Sequence, residues 1–183
     1  DIVYKGEKVV SSDSIIFIEN LNLEAETDYI LKIKITSDSK VFYGDKKFRT
    51  GIFGEFLGKW ISDDRKLEKE EDYYKEKRNT ILRKAFELKE TPKEAFIYIV
   101  GLGYYNLYVN GKKVGNAELN TDWTNYSKEI FYDTYNLQEY LVQGENIVFV
   151  ELGNGWYNPA PLTLFGKYNL RDILSIGEPK LLA

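Results

Sequence analysis

Residues 95–114 run Ala95-Phe96-Ile97-Tyr98-Ile99-Val100, then Gly101-Leu102-Gly103, then Tyr104-Tyr105-Asn106-Leu107-Tyr108-Val109-Asn110-Gly111-Lys112-Lys113-Val114. The unbroken apolar run from Ala95 to Val100 is what a strand covered on both faces requires. Gly101 and Gly103 interrupt it and predict a bulge or bend. Tyr104 to Val109 resumes the extended chain with Tyr104 and Tyr105 on opposite faces, one expected in the core and the other toward solvent. Asn110-Gly111 is a hairpin signal, because both central residues of a type I′ turn need positive φ. Lys112-Lys113-Val114 then returns along the partner strand.

Working outward, Thr80 to Lys89 alternates, with Ile81, Arg83, Ala85 and Glu87 opposing Leu82, Lys84, Phe86 and Leu88. Glu145 to Leu152 reads as another buried strand, and Leu137 to Gly144 as the best helical turn, stopped by glycine. After Trp156 the pattern gives way to a loop-rich tail with Pro159, Pro161 and Pro179, and Lys180-Leu181-Leu182-Ala183 looks like the start of a strand. Toward the N-terminus, Ser14 to Ile18 is a compact β-branched run. Asp28 to Thr36 alternates with Tyr29, Leu31, Ile33 and Ile35 on one face, the signature of a half-buried strand. Phe48-Arg49-Thr50-Gly51 closes this first part, which is expected to be a piece of a small sandwich. Gly51 to Gly58 carries three glycines and is the expected boundary, dividing the chain into 1–51 and 52–183. The fold class expected is all-β, an antiparallel β-sandwich.

Composition removes several chemistries. The 183 residues contain no His and no Cys, so serine–histidine, cysteine–histidine and thiolate-metal sites are excluded within the chain. The formal net charge is −4 and no basic stripe exists, which argues against nucleic acid as a partner. No apolar run approaches the roughly 20 residues needed to cross a bilayer. The chain opens Asp1-Ile2-Val3 with no signal-peptide pattern and no initiator Met, as expected of a processed or excised fragment. The run from Asp63 to Lys77 interleaves acids and lysines and reads as a solvated loop or short exposed helix. Its adjacent acids, Asp63 with Asp64 and Glu70 with Glu71, lack the burial that would raise one pKa for general-acid work.

The segment Gly101 to Gly115, followed by Asp122-Trp123-Thr124-Asn125-Tyr126, Phe131-Tyr132-Asp133-Thr134-Tyr135, Gly144-Glu145-Asn146 and Leu152-Gly153-Asn154-Gly155-Trp156-Tyr157, resembles the N-terminal jelly roll of bacterial α-L-rhamnosidases in order and spacing. Phe48-Arg49-Thr50-Gly51 with Trp60-Ile61 resembles the join between that family's fibronectin-III-like first domain and its jelly roll. Tyr135-Asn136-Leu137 departs from the family's Asp-Val-Thr, but Asn136 can still cap the turn that follows. The resemblance implies a fibronectin-III-like remnant over 1–51 and a galactose-binding-domain-like jelly roll over 52–183. It also implies an inverting glycosidase whose acid–base pair lies on a separate (α/α)6 barrel, leaving this piece non-catalytic. L-rhamnose-containing glycans are the implied ligand, with Ca2+ as an optional companion and no required cofactor. Cytoplasmic and secreted locations are both compatible. Two alternatives stand beside this: a purely structural spacer packed against the barrel, and the sugar-binding jelly roll of a β-galactosidase-like enzyme.

Sugar recognition needs a flat aromatic face and planar polar groups. Two stretches supply both. In the first, Asn120, Asp122, Trp123 and Asn125 can contact sugar, with Asp122 and Asn120 as oxygen ligands for Ca2+; the alternative is an Asx-bonded turn with Trp123 packed inward. In the second, Asn154, Trp156 and Tyr157 follow a glycine pair; Trp156 is either a stacking platform or a plug between the sheets. Trp60 is expected to pack at the domain join.

Overall fold

The computed structural model describes residues 2–63, 78–161, 163–164 and 166–183. In chain order the strands are β1 (Asp28–Ser37), β2 (Lys40–Arg49), β3 (Thr80–Leu88), β4 (Phe96–Leu102), β5 (Tyr104–Val109), β6 (Lys112–Lys113), β7 (Asp133–Asn136), β8 (Gly144–Gly153), β9 (Thr163–Leu164) and β10 (Tyr168–Asn169), then helix α1 (Leu170–Ile173) and strand β11 (Lys180–Leu182). The chain forms two units, Asp1–Glu55 and Phe56–Ala183.

The first unit is built on one antiparallel ribbon, β1 with β2, running from Asp28 opposite Arg49 to Ser37 opposite Lys40. Its turn residues Asp38 and Ser39 both take positive φ, the geometry that matches the strands' own twist. Tyr29 stacks on Phe48, and the Thr50 hydroxyl donates to the Glu24 carbonyl at 2.6 Å, closing the base. The half-buried strand expected at Asp28–Thr36 is a strand, but Ile30 and Leu31, on opposite faces, are both exposed. A ribbon of two strands covers neither of its own faces. The strand expected at Ser14–Ile18 is absent: these residues are exposed and belong to no strand.

The second unit is an antiparallel β-sandwich, as expected. One sheet has the order β11-β4-β7 and the other β3-β8-β5-β6. Inward side chains from both sheets, among them Ile99 and Leu181 from the first and Tyr105, Leu107, Val109, Val150 and Leu152 from the second, form one core. The alternation read in β3 is realised, since Leu82, Phe86 and Leu88 pack against that core. Lys180–Leu182 is indeed a strand, and it pairs with β4 from Leu102 back to Val100. Ile61 lengthens the same edge by bridging to Leu181. The helical turn expected from Leu137 forms as a single turn: the Leu137 carbonyl accepts from the Tyr140 and Leu141 N–H groups, and the Asn136 side chain caps it by accepting the Gln138 N–H at 2.9 Å. The tail expected to be loop instead contains β9, β10 and α1, elements too short to leave a periodic signal. The expectation for the charged run falls on residues 64–77, outside the described residues; Asp63 itself accepts the Thr80 hydroxyl at 2.6 Å.

Three contacts hold the sandwich in register. Gly103 alone separates β4 from β5, which lie in different sheets, and its φ of +107° turns the chain across the core. A Cβ there would collide with the Gly153 carbonyl oxygen, and a Cβ on Gly155 would come within 2.9 Å of the Gly103 carbonyl carbon. Tyr105, 2% exposed, spans the layers by donating its hydroxyl to Asp133 at 2.6 Å. Asn146, fully buried, uses its whole amide: Nδ2 donates to the Val142 and Gly144 carbonyls, and Oδ1 accepts from the Val142 N–H and from Asn110 Nδ2. Asn110 and Gly111 take the positive φ values that the hairpin reading required.

Two outcomes follow from these contacts. Gly103→Ala adds both a clash and a left-handed strain and should cost about 3 kcal/mol or more in chemical denaturation. Gly111→Ala, with open space around its Cβ, should cost only the conformational part, about 1 kcal/mol; equal costs would remove the clash from the account. The second outcome concerns pH. Burial first, then the hydrogen bond to Asp133, raise the Tyr105 pKa far above the ordinary tyrosine range. A folded pKa above the unfolded one means that the stabilisation is complete below about pH 10 and is lost as pH rises beyond it, by up to about 1.4 kcal/mol per pH unit. Thermal melts between about pH 8 and 11 should therefore fall less steeply above pH 10 for Tyr105→Phe than for the native chain. Parallel curves would exclude this role for Tyr105.

Candidate functional site

The first loop leaves the sandwich at Asn120, whose carbonyl accepts the Tyr105 N–H at 2.9 Å. That bridge fixes Asn120 and Thr121 inside the fold, and Asp122 and Trp123 are the next residues to emerge. The loop then staples itself. Thr124 donates to the Glu129 carbonyl at 2.6 Å, and Asn125 Oδ1 accepts from the Ser127 N–H at 3.2 Å and its hydroxyl at 2.7 Å. The two bonds to Asn125 are of the Asx type that the turn alternative for this stretch carries.

The second loop starts where β8 ends. The Asn154 carbonyl accepts the Asn158 N–H at 3.0 Å, closing one turn that carries Gly155, Trp156 and Tyr157. Its far side is pinned by Arg171, a buried side chain on α1, which donates to Asn158 Oδ1 at 2.7 Å and to the Pro159 carbonyl at 2.8 Å. Asn169 caps α1 by accepting the Arg171 N–H at 3.0 Å, which sets the direction of that residue. Gly177 donates its N–H to the Tyr157 carbonyl, and a Cβ at this position would displace the Tyr157 ring.

So held, the two loops bring their rings together. Trp123 and Trp156 lie 6.0 Å apart between centroids at 42°, and remain 54% and 39% exposed. Tyr126 meets Tyr157 edge-on at 5.6 Å. The Lys180 ammonium sits over both Trp60, at 5.3 Å, and Tyr157, at 5.7 Å. Burial, then the neighbouring Tyr104, raise the Tyr126 pKa, so its hydroxyl stays protonated and able to donate at neutral pH.

Of the residues picked from sequence, Trp123, Trp156 and Tyr157 form the platform, and Asp122, Asn125 and Asn154 are exposed in the same two loops. Asn120 differs from the expectation of a surface contact: it is buried, 5% exposed, and its carbonyl is taken by the Tyr105 N–H of β5. Trp156 is not a plug between the sheets, and Trp123 is not packed inward; each covers the other at the surface. Tyr126, Lys180 and Arg171 were missed. Tyr126 stood within the quoted motif, but nothing near Lys180 in sequence announces a ring 23 residues earlier, and nothing near Arg171 announces acceptors at Asn158 and Pro159.

Chemically, the arrangement offers a bent apolar surface for the C–H face of a sugar, with amides and one carboxylate nearby for hydroxyls. Calcium takes about six to eight oxygens. With Asn120 withdrawn, Asp122 is the one side-chain carboxylate of this loop before Glu129, and no group of three acids gathers among the described residues. The residues present do not make a calcium cage.

Residues 90–181 match the family model described as the α-L-rhamnosidase N-terminal domain. An α-L-rhamnosidase from Formosa agariphila is 32% identical over 160 residues, which is 76% of this chain and 17% of that protein. The structure of an α-L-rhamnosidase from Dictyoglomus thermophilum superposes with a TM-score of 0.65 at 25% identity, over 94% of this chain and 20% of that one. An α-L-rhamnosidase from Aspergillus terreus shares the fold, with a TM-score of 0.65 at 20% identity over 87% of this chain and 18% of that one. The chain thus spans about a fifth of the length of these relatives.

Arg171 is expected to position the Trp156 loop. Arg171→Met keeps the length of the side chain but leaves Asn158 Oδ1 and the Pro159 carbonyl without their donor, and should cost about 2–4 kcal/mol in urea unfolding. It should also make Trp156 more accessible to acrylamide quenching. A cost under about 0.5 kcal/mol would show that the turn holds by itself.

Proposed function

The chain belongs to the α-L-rhamnosidase N-terminal domain family, and on that premise we propose that it is a non-catalytic, carbohydrate-binding part of an α-L-rhamnosidase, with L-rhamnose-containing glycans as its ligands. The observation that carries this reading is the exposed Trp123–Trp156 pair, assembled from loops 33 residues apart in sequence. A tryptophan that served packing alone would gain more by full burial, which removes about 25 cal/mol per Å2 of apolar surface from water. In this proposal the rings stack on the apolar face of a sugar, while Asp122, Asn125 and Asn154 take hydroxyls. Hydrolysis belongs to a helical (α/α)6 barrel elsewhere in a longer protein, and the bound glycan is held near that barrel. The gain to the enzyme is local concentration: a tethered substrate meets the second site at an effective concentration set by the connection.

Titration calorimetry with L-rhamnose and a rhamnose-containing oligosaccharide, with and without calcium, tests the proposal. Saturable heat with a dissociation constant on the order of 1 mM is expected. Trp123→Ala and Trp156→Ala should each weaken it by about tenfold, equivalent to about 1.4 kcal/mol, with the unfolding midpoint little changed. No heat from any rhamnose-containing ligand, with the fold intact, would favour the structural spacer instead.

A further inference from the structure

Lys180 begins β11, opposite Leu102, so its backbone position is set by the sheet. Its ammonium lies over two rings, Trp60 and Tyr157, and among the described residues no carboxylate pairs with it. Aromatic faces attract a cation but satisfy none of its three N–H donors as an anion would. Tyr157 is also the ring that meets Tyr126 and follows Trp156, so this cation is part of the same aromatic surface. The platform therefore has, beside one of its rings, a cation that no carboxylate pairs with among the described residues. The paired tryptophans are too close, at 6.0 Å and tilted, to sandwich one sugar between them; they present a bent face that suits consecutive rings of a chain.

We infer that this surface selects a glycan in which a sugar bearing an anionic group, a carboxylate or a sulfate ester, adjoins the neutral sugar, with Lys180 as the residue that reads the charge. The inference rests on the carbohydrate-binding reading above and specifies its ligand. An ion pair made at a partly buried lysine adds attraction that weakens as salt screens it.

Calorimetry on the whole chain decides it, using three disaccharides of rhamnose: with a neutral hexose, with the corresponding uronic acid, and with a sulfated hexose. At least one acidic ligand should bind about fivefold to tenfold tighter than the neutral one in low salt, with the advantage shrinking as salt is raised. Which of the two acidic ligands gains identifies the group read. Lys180→Gln should bring the acidic and neutral affinities within about twofold of each other, and Lys180→Arg should keep the preference. Equal affinity of all three ligands for the native chain overturns the inference while leaving carbohydrate binding intact, as does a preference that survives in Lys180→Gln with its melting temperature unchanged. Failure of every ligand, the neutral one included, removes the carbohydrate-binding reading and this inference with it.

Discussion

Gly103 packs its backbone against Gly153 and Gly155, and no residue with a Cβ fits at Gly103 without moving the chain. That approach does two jobs at once. It lets β4 and β5 lie in opposing sheets with a single residue between them, and it seats the start of the loop that carries Trp156 and Tyr157. Fold and platform are therefore coupled through main-chain atoms. Backbone atoms cannot adopt another rotamer to relieve a clash, so the position of the second loop inherits the rigidity of the core.

Much of the scaffold was legible because it depends on local periodicity. Tyr104 to Val109 alternates strictly, and the core takes Tyr105, Leu107 and Val109; Asn110-Gly111 announces its turn by residue type alone. Other elements left no such trace. β2 was recognised only at its Phe48-Arg49 end, since Val41-Phe42-Tyr43-Gly44-Asp45-Lys46 mixes apolar and polar residues without a period of two. Ser14 to Ile18 has the right composition for a strand but no partner to ladder with, and composition cannot supply one. The site divides in the same way. That each loop carries aromatic and amide residues was readable; that Trp123 faces Trp156 depends on long-range register, and that Asn120 points inward depends on its bridge to Tyr105.

Residue type alone would have misassigned several polar side chains. Tyr105, Asp133, Asn110 and Asn146 are all types found in sugar sites, yet their partners are each other and the backbone. Asn146 has no donor or acceptor to spare, because each of its four positions is already bonded. A buried amide so fully used specifies one arrangement of the β8 entry against the β5–β6 turn, since any shift would strand several polar groups at once. The platform differs in just this respect: its amides lie at the surface and are accessible.

The ribbon of β1 and β2 has a consequence of its own. Among the described residues each strand is paired on one side only, so each presents a row of main-chain donors and acceptors of the kind on which a further strand can add. Five lysines and Arg49 lie between positions 28 and 49 against three aspartates. This like charge acts as a gatekeeper along both open edges, setting repulsion against edge-to-edge growth. Its range is the Debye length, about 8 Å at physiological ionic strength and about 3 Å at 1 M, so the protection against association is set by the solvent as much as by the chain.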